Sequence, residues 1–207
     1  MTETTPVQER ERERDLDRLL TFVDAIVAIA ITLLVLPLVE LTAEVGREEP
    51  VADLLRAHQA DIWSFLLSFA VIAQLWGAQH RAVSHLLRDS PALNRLLVVW
   101  TLTIVFLPFP TALVAKTVDQ PITKILYVGT IALSSLLIAL IDLTIARNPG
   151  LTDGEAPDPL AALTATVLLG IALAIMLAVP DAGYYPMLLL FLGGPAHRLL
   201  LARRRRG

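Results

Sequence analysis

The stretch that decides the fold is Arg18-Leu-Leu-Thr-Phe22-Val-Asp24-Ala-Ile-Val-Ala-Ile29-Ala-Ile-Thr32-Leu33-Leu-Val-Leu36-Pro37-Leu38. Residues 25–38 carry no charged side chain. At about 1.5 Å rise per residue, a helix over 19–41 is about long enough to cross the hydrocarbon core of a bilayer. Asp24 lies at the edge of that span, with Arg18 one to two turns before it. A carboxylate at that depth is costly and has to face protein or water. Two readings stand for it: a functional site, or the polar end of the helix at the interface.

At about 100° per residue, Ile29, Leu33 and Leu36 share one face, with Thr32 about 60° to one side. Asp24 sits about 140° away from Ile29 on the same wheel. One face therefore offers a bulky aliphatic ladder with a hydroxyl beside it, and another offers the carboxylate. If the ladder lined a pore, Asp24 would point into packed protein and not at ions. On the wheel alone, the ladder reads first as a stripe facing lipid or core.

Working outward, the whole chain is of the same kind. Its 207 residues are 55% hydrophobic and 18% charged, with a mean hydropathy of +0.63, more apolar sequence than a soluble domain of this size can bury. The chain reads as an all-α integral membrane protein. It contains no cysteine, which excludes disulfides and thiolate metal sites. Residues 9–15 alternate Glu and Arg before Asp15, unlike the basic leader of a cleavable signal, and read as a solvated lead-in.

Six apolar segments are expected, over about 19–41, 61–87, 93–114, 122–146, 160–179 and 184–201, forming one transmembrane domain with no separate soluble part. The connection over 42–57 is acidic and reads as a polar loop; Asn148 to Pro159 is a loop by its turn residues. The third segment ends in Leu107-Pro-Phe-Pro-Thr111, where two prolines must disturb the helical hydrogen bonds. Tyr184 and Tyr185 suit an interfacial position, and Trp63 and Trp76 read as interfacial or packing residues. Six spans put both termini on one side. That side carries Arg10, Arg12, Arg14, Arg18, Arg81, Arg88, Arg95, Arg147, Arg198 and Arg203 to Arg206, against Arg47, Arg56, Lys116 and Lys124 opposite. The bias predicts a cell-membrane protein with both ends cytoplasmic.

Arg18-x-x-x-Phe22-x-Asp24, followed by Ala28-Ile29-Ala-Ile-Thr32-Leu33-Leu34, resembles the signature Arg-x-x-x-Phe-Ser-Asp of the transmembrane protein 175 family of potassium-permeable channels. Ser68-Phe69 and Trp76-x-x-Gln79-His80-Arg81 resemble that family's second helix, and Asn94-Arg-Leu-Leu with Leu107-Pro108-Phe109-Pro110-Thr111 its third. The likeness covers roughly the first half of the chain. Val23 stands where the family has Ser, and Gln79 where the first His of a His pair is usual.

The resemblance implies six helices per subunit and a homotetramer whose four first helices line a central pore. It implies a hydrophobic constriction at Ile29, with Leu33 and Leu36 also facing the pore. Thr32 is our choice for selectivity, because its hydroxyl offers the oxygen that hard alkali cations prefer. Arg18, Phe22, Asp24, Gln79, His80 and Asn94 are implied to form a structural or gating network. Glu40 and Glu44 continue outward and offer either a negative outer mouth or simple solvation of the helix end. The expected activity is passive potassium permeation with potassium ions and lipid as partners. Potassium would be the one, transient, metal; no cofactor and no nucleic acid are expected. There is no Thr-Val-Gly-Tyr-Gly filter, so ring-of-carbonyl selectivity is not available.

The alternatives are a proton channel or weakly selective cation leak on the same fold, a membrane enzyme or assembly factor, and a secondary transporter. Against an enzyme, there is no His-Glu-x-x-His, Gly-x-Ser-x-Gly or phosphate-cradling loop. Against a transporter, no matched pair of broken helices appears in two halves.

Overall fold

The computed structural model describes residues 6–44, 50–88, 90–117, 120–152, 159–179 and 184–192. These are helical almost throughout: α1 (Pro6–Leu33), α2 (Leu36–Glu44), α3 (Val51–Ala57), α4 (Gln59–Val83), α5 (Pro91–Phe106), α6 (Pro108–Lys116), α7 (Pro121–Ala146) and α8 (Pro159–Ala178). Short 3-10 segments follow at Pro149–Leu151 and Tyr185–Leu192. Among the described residues there is no strand, and one antiparallel bridge joins Leu86 to Thr152.

Among the described residues, four helical stretches are long and apolar enough to cross a membrane: Arg14–Leu41, Gln59–Val83, Pro91–Val114 and Pro121–Ala146. Ala162–Ala178 is a shorter apolar helix. The chain is thus a multi-pass helical membrane protein. The second half of the sixth expected segment, together with Arg198 and Arg203 to Arg206, lies outside the described residues.

The structure corrects the expected elements in two places and follows the expectation in a third. The first segment is not one straight helix but breaks at Leu34 and Val35 between α1 and α2. The cause is Pro37, which has no N–H for the carbonyl four residues back. The chain tightens instead, with Leu34 N–H donating to the Ile31 carbonyl and Val35 N–H to that of Thr32, both at 3.3 Å. As its two prolines lead one to expect, the third segment breaks at Leu107, where Pro108 opens α6. The connection read as a loop over 42–57 holds the short helix α3.

Local chemistry sets the ends. Ser90 caps α5, its hydroxyl accepting from Leu93 N–H at 3.2 Å, with Pro91 in the first turn, an arrangement that satisfies one of the orphan donors. Within the spans, threonine hydroxyls donate back to carbonyls three or four residues earlier, as at Thr101 to Leu97 and Thr130 to Leu126. Lipid offers no hydrogen-bond partner, so a polar side chain has to find one on its own helix or a neighbouring one.

The core is centred on α7, which packs against α4, α5, α6 and α8. Trp100, Ile104, Tyr127, Ile131, Ile141 and Ile145 are fully buried there. Lys124, at the start of α7, is also buried and donates from Nζ to the Met176 carbonyl at 3.2 Å. That carbonyl lies in the last turn of α8, which has no intrahelical donor and favours a cation. At the opposite end of α7, the turn after α4 meets the loop after α7, with Leu87 N–H donating to the Leu151 carbonyl at 2.8 Å. Arg81, Arg88, Arg95 and Arg147 all belong to this end of the bundle.

Candidate functional site: the first helix and its clamp

α1 divides into two stripes. Leu16, Val23, Val27, Ala30 and Leu34 are buried, at the alternating spacing of three, four and seven that defines one helix face. They pack toward α5 and α4. The other stripe is open: Ile29 is 57% exposed, Leu33 40% and Leu36 50%. Thr32 is exposed beside them, and its hydroxyl donates to the Ile29 carbonyl at 2.7 Å. Its single proton is therefore committed backward along the helix, and the oxygen lone pairs remain as acceptors on the exposed face. Leu36 is reached only across the Pro37 break, so it belongs to α2, not to a continuous ladder.

Asp24 is half-buried on a different face, as the wheel requires. It accepts a hydrogen bond from Trp76 Nε1 at 2.8 Å, and His80 lies against Trp76 with ring centroids 5.6 Å apart. This clamp ties α1 to α4. It also fixes their sense: α2 follows α1 and α4 begins shortly after α2, so contact between Asp24 and Trp76 places the two spans antiparallel.

The six residues expected to form one network are not brought together. Asp24 and His80 meet through Trp76, a residue that sequence alone assigns to packing or the interface. Gln79 is buried, with 1% exposure, and its Oε1 has no hydrogen-bond partner among the described residues. Asn94 is half-buried near the start of α5. Arg18 is exposed and makes no ion pair among the described residues. Phe22 is 58% exposed and lines an apolar groove of about 210 Å³ between α1 and α5, with Ile26, Val98 and Leu102. Glu40 is exposed on α2; Glu44 closes that helix, and its side chain lies outside the described residues. No group of three or more His, Cys, Asp or Glu able to hold a metal occurs among the described residues.

A second polar cluster has no counterpart in the expected network. Ser68 Oγ and Tyr127 OH are 2.7 Å apart, and Thr111 Oγ1 lies 2.9 Å from Ser68 Oγ and 2.8 Å from the Leu107 carbonyl. All three hydroxyls are buried. They come from α4, α6 and α7, and only the tertiary fold reveals their meeting.

What this architecture defines is a multi-pass helical membrane protein whose first span presents an open apolar face, backed by a carboxylate clamp. The particular family follows from similarity. Residues 18–108 match the model of the family described as endosomal/lysosomal potassium channel TMEM175. Over 124 residues the chain is 34% identical to a protein from Chamaesiphon minutus named as a potassium channel. That alignment covers 56% of this chain and 58% of the relative, so the chain spans somewhat more than half the length of the relative it matches. Both similarities are to ion channels and neither is to an enzyme.

Proposed function

We propose that this chain is a subunit of a potassium-permeable cation channel, working passively and without a cofactor. In this reading it is a six-span subunit of the cell membrane with both termini cytoplasmic. Four copies surround a pore lined by α1 and the start of α2. Ile29, Leu33 and Leu36 form the hydrophobic constriction, Thr32 contributes to selectivity, and Glu40 and Glu44 charge the outer mouth.

The observation that carries this reading is the exposed face of α1. The helix buries one stripe in its own subunit and leaves Ile29, Thr32, Leu33 and Leu36 uncovered. One open helix face cannot enclose an ion path, so a pore along it needs further copies of the chain. An apolar ring then gates by excluding water, and the hydroxyl oxygen of Thr32, with its proton already donated, is free to accept a cation. Asp24 is engaged by Trp76, which supports a positioning role for it and not ion ligation. The basic residues gathered where the turn after α4 meets the loop after α7 support a cytoplasmic location for that end.

The test is an ion-substitution recording on purified protein in liposomes. A current whose reversal potential follows the potassium gradient is expected. Absence of current, or flux strictly coupled to a second solute, would sink the reading. Proton flux exceeding potassium flux at matched driving force would move the function to a proton leak on the same fold.

A further inference from the structure

The joint between α5 and α6 is weak by construction. Pro108 and Pro110 remove two backbone donors within three residues. What spans the joint is Leu107 N–H donating to the Ile104 carbonyl at 3.2 Å and Thr111 N–H donating to the Leu107 carbonyl at 3.1 Å. A proline joint of this kind lacks the backbone hydrogen bonds that hold a continuous helix straight, so side-chain contacts bear on its angle.

Three buried hydroxyls stand at this joint. Thr111 O–H lies within donating reach of both Ser68 Oγ, at 2.9 Å, and the Leu107 carbonyl, at 2.8 Å, and Ser68 Oγ shares a hydrogen bond with Tyr127 OH at 2.7 Å. The chain runs from α7 through α4 to α6 and ends on the carbonyl at the joint itself. The Tyr127 ring is held in turn by Tyr184, edge-on with centroids 6.0 Å apart. The three hydroxyl residues are between 1% and 3% exposed, so no solvent replaces a bond that is lost.

We propose that this hydroxyl chain is a conformational latch that holds α6 against α4 and α7, and that opening it frees α6 to pivot at Leu107. α6 also touches α1, so its position bears on the span that carries Ile29. That last link rests on the channel reading; the latch itself does not.

Hydrogen–deuterium exchange on the full chain in lipid nanodiscs tests it without any current being measured. Tyr127→Phe and Thr111→Val each remove one hydroxyl at nearly constant shape. Each should speed exchange across 108–117 by about two- to tenfold, the range expected for one buried neutral hydrogen bond, while 91–106 exchanges as in the parent. Thr111→Ser keeps the hydroxyl and should exchange like the parent over 108–117. Unchanged exchange in both hydroxyl-deleting variants overturns the latch. So does faster exchange spread evenly over α5 and α6, which would mean general loosening. Equal acceleration by Thr111→Ser would assign the effect to the lost methyl and also overturn it. If the latch holds in exchange but liposomes carry no current, the channel reading fails and the latch stands.

Discussion

Ile29→Asn should raise unitary conductance by about tenfold, the factor produced by lowering a barrier by about 1.4 kcal/mol, and should reduce the preference for potassium over sodium. Ile29 is 57% exposed in the subunit, so exchanging it for a polar residue empties no core and leaves folding intact. In the proposed assembly, each subunit contributes one such side chain to a ring. An apolar ring keeps water out, and an ion crossing it loses hydration that aliphatic carbon cannot replace. Four amide groups would hold water in the constriction and coordinate the ion directly. Ile29→Ala, which only widens the ring, should raise conductance less. Single-channel recording with potassium and sodium on opposite sides reads both quantities. If Ile29→Asn conducts and selects like the parent, the ion path does not run along this face of α1.

Much of this architecture is legible in the amino-acid sequence, and the reasons are physical. Long apolar spans are visible because each must satisfy its backbone internally and bury its side chains in lipid or protein. Prolines at Pro108 and Pro110 announce a break because they lack an N–H, and α5 does end at Phe106. The same logic applied to Pro37 places a break before α2, which a single wheel over 19–41 ignores. Contacts between distant parts of the chain are hidden. Ser68 and Tyr127 are 59 residues apart, and Asp24 and Trp76 are 52 apart. Nothing in the spacing of one helix says which residue of another will face it. Trp76 misleads for a further reason. A tryptophan near a span's end suits the interface, and the same indole N–H that prefers water there serves a half-buried carboxylate equally well. Arg18 and Phe22 share a motif with Asp24, yet on the helix they point elsewhere: Arg18 to the surface and Phe22 into the groove with α5.

Trp76→Phe should lower the stability of the membrane-embedded protein by about 1.5–3 kcal/mol, the range for a hydrogen bond to a charged group. The ring and its contact with His80 are largely kept, and the N–H aimed at Asp24 is lost. The remaining carboxylate then sits half-buried at the edge of a bilayer with its donor gone, and that orphaned charge is the main cost. Asp24→Asn keeps an oxygen within reach of the indole and removes the charge, so it should cost less, about 0.5–1.5 kcal/mol. Combining Trp76→Phe with Asp24→Leu removes both partners and should be milder than the sum of the two single changes. Thermal or denaturant unfolding in one lipid composition measures all four, and the double-mutant cycle isolates the coupling. A simple packing role for Trp76 predicts a different order, with Asp24→Asn silent and the two sites additive. Only a clamp between a donor on α4 and a carboxylate on α1 makes the loss of both partners cost less than the sum of the two single losses. That order would establish Asp24 as the residue that positions the first helix, and would leave ion contact to the face that Ile29 and Thr32 share.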